Sequence, residues 1–259
     1  MNRKLIAFDI DGTLINDNHE LLPKTKEAIK KMQEAGHMVM CATGRSYPIA
    51  KSVLDEAGIK HYILSNGAVA FVDDKQVYSN PLNEEALEKL VQVSDQRDID
   101  IVFNGLMETK LRNEEFQKET KIAMESFGQK LPEIELDFHK RAAVYQVVAL
   151  LKEEKMDAYE GNFPEFRFVR WHENGVDVLP ENGSKAETLK EVAEQFGFKQ
   201  EDIIAFGDGN NDMEMLAYAG VGIAMENGRE ELKAVSDFVT LSNNDGGIYH
   251  GLKEYGLVN

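Results

Sequence analysis

Residues 5–13 read Leu-Ile-Ala-Phe-Asp-Ile-Asp-Gly-Thr, and this stretch decides the fold. Leu5 to Ile10 is apolar at every position except Asp9, without the alternation of a half-exposed strand. That is the pattern of a strand covered on both faces, as in a parallel sheet flanked by helices. The polar run begins where such a strand ends, which is where open parallel sheets place their ligands. The same rhythm continues outward. Pro23 stands near a helix start, Thr25, Ala28, Ile29 and Met32 recur at helical spacing, and Gly36 stops the run. His37 to Ala42 reads as a second strand, Ile49, Val53, Leu54 and Ala57 as the next helix, and Tyr62 to Leu64 as a third strand. Ala68 to Val72 and Gln76 to Ser79, joined across Asp73-Asp74-Lys75, read as an appended hairpin.

After Pro81 the pattern changes. Leu87, Leu90 and Val91 mark a helix, Ile99 to Phe103 and Thr109 to Leu111 two strands, and Phe116, Thr120, Ala123, Met124 and Phe127 one face of a second helix. Tyr145 to Leu151, Phe166 to Trp171 and Val176 to Leu179 come next as strands, with Trp171 expected to pack in their sheet. The α/β rhythm then resumes. Ser184 with Glu187 is a capping box, and Leu189, Val192, Ala193 and Phe196 form an apolar helix face closed by Gly197. Ile203 to Phe206, Val221 to Ala224 and Phe238 to Leu241 are three more strands, with Met213, Met215 and Leu216 as helix core between them. The expected class is therefore α/β: a parallel-sheet core made of residues 1–81 and 183–259, with an α+β cap domain, 82–182, inserted as a lid.

Composition excludes several classes of function. The 259 residues carry 46 acidic and 29 basic side chains, a net charge of −17, which repels nucleic acid and anionic membranes alike. A hydrophobic content of 42% excludes wholesale disorder. No apolar run approaches the ~20 residues of a membrane span, and Leu5 to Phe8 meets Asp9 too soon to be a signal-peptide core, so a cytoplasmic protein is expected. Cys41 is the only cysteine and lies in the apolar run Met38 to Ala42, where it reads as a small buried hydrophobe. The six histidines show no metal-ligand spacing. No obligate protein partner is evident.

The residues just beyond each strand are informative. The first strand ends in Asp9-Ile10-Asp11-Gly12-Thr13, the second in Thr43-Gly44-Arg45, the third in Ser65-Asn66-Gly67, and the strand at 203–206 in Gly207-Asp208-Gly209-Asn210-Asn211-Asp212. Any one Asp-Gly is a turn or a cap by itself. Together, however, Asp9, Asp11, Asp208 and Asp212 reach one sheet edge with Thr43, Asn66 and Lys185, and so many carboxylates repel one another unless a cation sits among them. Oxygen ligands without His or Cys suit Mg²⁺. Lys185 comes directly after its cap Ser184 at a helix start, where amides and dipole favour an anion and a cation carries a local cost.

D-I-D-G-T at 9–13, T-G-R at 43–45, Lys185 and G-D-G-N-N-D at 207–212 are, in order, the four motifs of a known family. The chain resembles the haloacid dehalogenase (HAD) superfamily over essentially its whole length, and within it the Cof-type phosphatases of subclass IIB, with a Rossmann-like core and a large α+β cap. One departure is Ala186, where many relatives have Gly after the lysine; it lies on helix backbone and puts nothing catalytic in doubt. The resemblance implies that Asp9 is a nucleophile forming an aspartyl-phosphate, and that Asp11 is the general acid and base. Asp11 also separates the chain from the dehalogenase branch, which lacks it. Mg²⁺ would be held by Asp9, the Asp11 carbonyl and Asp208, with Asp212 behind them. Thr43, Lys185 and the amides of Ile10 and Gly44 would bind phosphoryl oxygens with Asn211 as a helper, while Arg45 and Asn66 are candidate substrate contacts. The implied function is a Mg²⁺-dependent phosphatase of small phosphorylated metabolites such as sugar phosphates, the cap closing over the substrate. The competing readings are a phosphotransferase or mutase using the same intermediate, and a non-catalytic phosphometabolite-binding regulator.

Overall fold

A computed structural model describes residues 3–126 and 130–258. The chain divides into two compact units, one of Met1–Arg45, Ile49–Ser79 and Ser184–Asn259, the other of Ser46–Pro48 and Asn80–Gly183.

The first unit opens with β1 (Leu5–Phe8), α1 (Pro23–Glu34), β2 (Met38–Ala42), α2 (Tyr47–Ala57), β3 (His61–Leu64), β4 (Val69–Val72) and β5 (Lys75–Ser79). Pro23 occupies the first turn of α1, where its fixed φ and missing N–H cost nothing. The second unit holds α3 (Glu84–Gln96), β6 (Asp100–Gly105), β7 (Thr109–Leu111), α4 (Lys118–Ser126), β8 (Glu133–Ile134), α5 (Phe138–Arg141), β9 (Val144–Leu150), β10 (Phe166–His172) and β11 (Gly175–Pro180). The first unit resumes with α6 (Lys185–Gln195), β12 (Ile203–Gly207), α7 (Met213–Tyr218), β13 (Val221–Ala224), α8 (Glu230–Val235), β14 (Phe238–Val239) and α9 (Gly247–Glu254).

In the first unit, eight strands run in the order β14-β13-β12-β1-β2-β3-β4-β5. The six from β14 to β3 are parallel, while β4 and β5 form the antiparallel hairpin at the edge. Alternate residues of each strand face opposite layers. Leu5, Ala7, Met40, Ile203 and Ala205 join Ala186, Leu189, Val192 and Ala193 of α6 and Met215 and Leu216 of α7 in one cluster. On the other face the Phe8 and Phe206 rings lie 5.0 Å apart, and Gly251 of α9 comes so close to Phe206 that a methyl group there would meet the ring. Cys41 is fully buried in β2, and burial raises its thiol well above the ordinary range, which keeps it protonated. Registers Phe8↔Phe206, Phe8↔Cys41 and Ala42↔Ile63 align the strand ends, so Asp9, Thr43, Ser65 and Asp208 leave the sheet along one edge.

The second unit is a six-stranded sheet, β10-β11-β9-β6-β7-β8, antiparallel except for the β7–β8 pair. α3 and α5 pack on one face through Leu87, Leu90, Val91 and Phe138, and α4 on the other through Ala123 and Met124, with Trp171 partly buried beside it. The Trp171 indole N–H donates to Asp177 Oδ1 at 2.9 Å.

Several elements differ from the expectation: β1 ends at Phe8 rather than Ile10, because the chain turns there, and β8, α5, α8 and α9 had no counterpart in the sequence pattern. Phe116 precedes α4 and is exposed, because the buried Asp100 carboxylate accepts the Gln117 amide and the Thr120 hydroxyl and so starts the helix later; Phe127 lies outside the described residues. Phe196 is the residue after α6 and is 36% exposed rather than on its buried face. The last strand is only Phe238–Val239; beyond it the Thr240 amide still donates to Ala224, but Leu241 is exposed at this sheet edge. Among the described residues, no helix is long and apolar enough to cross a membrane.

Leu189 is wholly buried between α6 and the sheet. Its replacement by Ala opens a cavity, and Leu189→Ala should cost about 2–5 kcal/mol in urea unfolding. A loss below about 1 kcal/mol would show that α6 is not packed as described.

Candidate active site

β1 carries the ladder one residue past its end, where the Asp9 amide donates to Phe206 at 3.0 Å. The chain then turns sharply over Ile10–Leu14, with Leu14 N–H returned to Asp9 O at 3.2 Å. Gly12 makes the turn possible. Its φ is +71°, and a Cβ there would collide with the Asp208 carboxylate. This turn leaves the Asp9 side chain buried and that of Asp11 partly exposed.

Lys185, the first residue of α6, is the centre of the arrangement. Ser184 caps the helix by accepting the Glu187 amide at 3.2 Å. Gly67, with φ +102°, lets the chain after β3 pass so close to the Ser184 carbonyl that a Cβ would clash with it. The Lys185 side chain is fully buried, and its Nζ donates to Asp9 Oδ1 at 2.6 Å and to Asp212 Oδ1 at 2.7 Å. Burial alone would lower the lysine's affinity for its proton. The Asp212 and Asp9 carboxylates outweigh that and hold it above the ordinary value, so it stays an ammonium.

The acidic groups crowd in turn. Asp212 Oδ2 accepts the amides of Asp208 and Gly209 at 3.1 and 3.0 Å, which closes the turn after β12 and fixes Asp208. Asp208 receives the Thr13 hydroxyl at 3.1 Å. Burial raises Asp9 well above the carboxylate range, opposed by Lys185 and reinforced by Asp212, Asp208 and Asp11. Asp208 is pushed up to about 7, by burial first and then by Asp212. Carboxylate oxygens of Asp9, Asp208 and Asp212 all lie within 4.8 Å of one another. One ammonium cannot balance three ionised carboxylates, so without a further cation the cluster holds on to protons; a hard divalent cation fits this set of oxygen donors.

The remaining expected residues form two further groups. Thr43 is buried after β2, its amide donating to Ile63 at 2.9 Å and its hydroxyl accepting the Arg45 amide at 3.1 Å. Asn66 is also buried, at φ +54°, and its Oδ1 accepts from Asn211 Nδ2 at 2.8 Å, with Gly44 close against the same amide group. Thr43, Gly44, Asn66 and Asn211 are thereby brought together. Arg45 grips Asp11 through both carboxylate oxygens, Nε to Oδ2 at 2.8 Å and Nη2 to Oδ1 at 2.6 Å. Sequence reasoning did not foresee that pair. It also passed over Asn227, beyond β13, whose Nδ2 donates to the Gly12 carbonyl at 2.8 Å. A signal for it exists, because Asn227-Gly228 stands beyond the strand at 221–224 much as the other polar runs stand beyond theirs. His37, His61 and His172 each accept a nearby backbone amide.

This charge arrangement sets two expected outcomes. Lys185→Met strands two buried carboxylates, and should lower stability by about 3–5 kcal/mol in denaturant unfolding. For Asp208 the folded pKa of about 7 exceeds the unfolded 3.8, so between these values the folded state keeps a proton that the unfolded chain releases. Stability of the metal-free protein, measured relative to Asp208→Asn, should therefore fall as pH rises from about 4 to about 7, and an added divalent cation should stabilise it more at about pH 8 than at about pH 5.5. Equal stabilisation at both would count against a cation at this cluster.

Comparison with known proteins places the chain. A model of the haloacid dehalogenase-like hydrolases matches residues 6–252. "Putative phosphatase YkrA" of Bacillus subtilis (strain 168) is 37% identical over 260 residues, covering 100% of both chains. A hypothetical protein of Geobacillus kaustophilus HTA426 superimposes with a TM-score of 0.93 at 35% identity, over 99% of this chain and 100% of that one. BT1666 of Bacteroides thetaiotaomicron, a phosphatase of the HAD enzyme superfamily, gives 0.90 at 25% identity, over 99% and 96%. With the four motifs converging on one sheet edge, the chain belongs to the haloacid dehalogenase-like hydrolases.

Proposed function

We propose that the protein is a Mg²⁺-dependent phosphatase of small phosphorylated metabolites, sugar phosphates or similar phosphomonoesters. The observation that carries this is the buried Lys185 ammonium held between Asp9 and Asp212, with Asp208 and the Thr13 hydroxyl beside them. Such a cluster offers an anion-binding cation next to a carboxylate nucleophile.

In this reading Asp9 attacks phosphorus and forms an aspartyl-phosphate while the P–O bond to the leaving group breaks. Asp11 gives its proton to the departing oxygen, then takes one from the water that clears the intermediate. Lys185, the Thr43 hydroxyl and the amides of Ile10 and Gly44 bind the phosphoryl oxygens, with Asn211, which donates to Asn66, as a helper. Asp9, Asp208 and the Asp11 carbonyl would hold the metal, and Asp212 supports it by fixing both Lys185 and the turn bearing Asp208. When bound, Mg²⁺ neutralises the clustered carboxylates and the phosphoryl charge. The relatives' names support the reaction class.

A panel of phosphomonoesters assayed with and without Mg²⁺ tests the proposal. Metal-dependent phosphate release is expected for at least one of them, reduced at least about 10³-fold in Asp9→Asn. Folded protein that turns over none would overturn it.

A further inference from the structure

Asp11 stands apart from the other site carboxylates. It belongs neither to the Lys185 ion group nor to the acidic cluster of Asp9, Asp208 and Asp212. Its side chain is 39% exposed, on a turn that bends at the left-handed Gly12. A carboxylate so placed samples several rotamers unless something holds it, and an acid–base group must be held close to its working geometry.

Arg45 supplies the hold. Both Asp11 oxygens are engaged, Oδ2 by Nε and Oδ1 by Nη2. The arginine is itself the better anchored partner. Its side chain is only 14% exposed, its Nη1 reaches the Ile49 carbonyl at 3.4 Å, its amide donates to Thr43 Oγ1, and its carbonyl accepts the Ser65 amide at 3.0 Å. The Arg45 backbone is thus fixed by Thr43 and Ser65 in the loops after β2 and β3, its guanidinium rests on the Ile49 carbonyl of α2, and Asp11 takes its orientation from it.

We infer that Arg45 is a positioning residue for Asp11 in the reaction proposed above, acting through the carboxylate rather than on the phosphate. This rests on the phosphatase reading. The two-point grip fixes the plane of the carboxylate, and one oxygen must leave it before Asp11 can carry a proton. Oδ2 can stay on Nε while Oδ1 leaves Nη2 to carry the proton, passes it to the leaving oxygen as that P–O bond breaks, and recovers one from water as the aspartyl-phosphate is cleaved. The guanidinium keeps its own proton throughout.

The test uses leaving groups of different basicity. kcat/KM reports on the phosphorylation step, where an alkyl phosphate needs a proton donor and p-nitrophenyl phosphate does not. Arg45→Ala should lower kcat/KM for the best alkyl substrate of the panel about 10²-fold or more and that for p-nitrophenyl phosphate by less than about 10-fold. Arg45→Lys should recover part of the loss, and Arg45→Ala should cost nothing further for the alkyl substrate when added to Asp11→Ala. Should Arg45→Ala not fold, Arg45→Gln takes its place. Equal losses for both substrates, or an undiminished loss in the Asp11→Ala background, would show Arg45 acting on the substrate and overturn the inference while leaving the phosphatase reading intact. A wild-type protein inactive on every phosphomonoester overturns the phosphatase reading, and this inference with it.

Discussion

The ammonium of Lys185 is removed from water completely, and such a charge persists in a protein interior only when compensated. Asp9 and Asp212 provide the compensation, and the three residues come from the end of β1, the start of α6 and the turn before α7. One ion group therefore ties together segments that are far apart in the chain. Its geometry depends on the sheet register that sends Asp9 and Asp208 off the same edge, and on the tight turn that Asp212 closes with its second oxygen. Buried ion groups gain little stability over apolar packing of the same volume. The arrangement therefore keeps charge in the interior at a cost that packing alone would not require.

The crowding around Asp208 expresses the same constraint. Thr13 and Gly12, both on the turn after β1, shape the space beside its carboxylate, one with a hydroxyl and the other by having no side chain. The first turn of the chain thus completes a cluster whose other members lie near residue 210. Asn227 fastens the same turn through the Gly12 carbonyl.

Much of this was legible in the sequence, for a physical reason. Strands covered on both faces must be apolar throughout, so a polar residue after such a run marks the strand end; Asp9, Thr43, Asn66 and Asp208 stand at or just past such ends. Where burial was inferred from apolarity alone, the reading failed, since Phe116, Phe196 and Leu241 lie at element ends and stay exposed. Pairings between side chains were not legible either. Arg45 with Asp11 and Asn66 with Asn211 depend on rotamers and loop paths, and neither periodicity nor spacing encodes those.

The position of β1 in its sheet also sets an order of assembly. Leu5 pairs with Met38 on one side and with Ile203 on the other. At roughly 5–20 residues per second, a ribosome makes Ile203 on the order of ten to thirty seconds after Met38. Throughout that interval the outer edge of β1 offers unpaired N–H and C=O groups to any passing strand, and for most of it the lysine that meets Asp9 has not been made. The second unit, built largely from neighbouring strands, has its closest pairings available sooner. The inserted segment can thus be complete while the sheet that carries the chemistry is still half made.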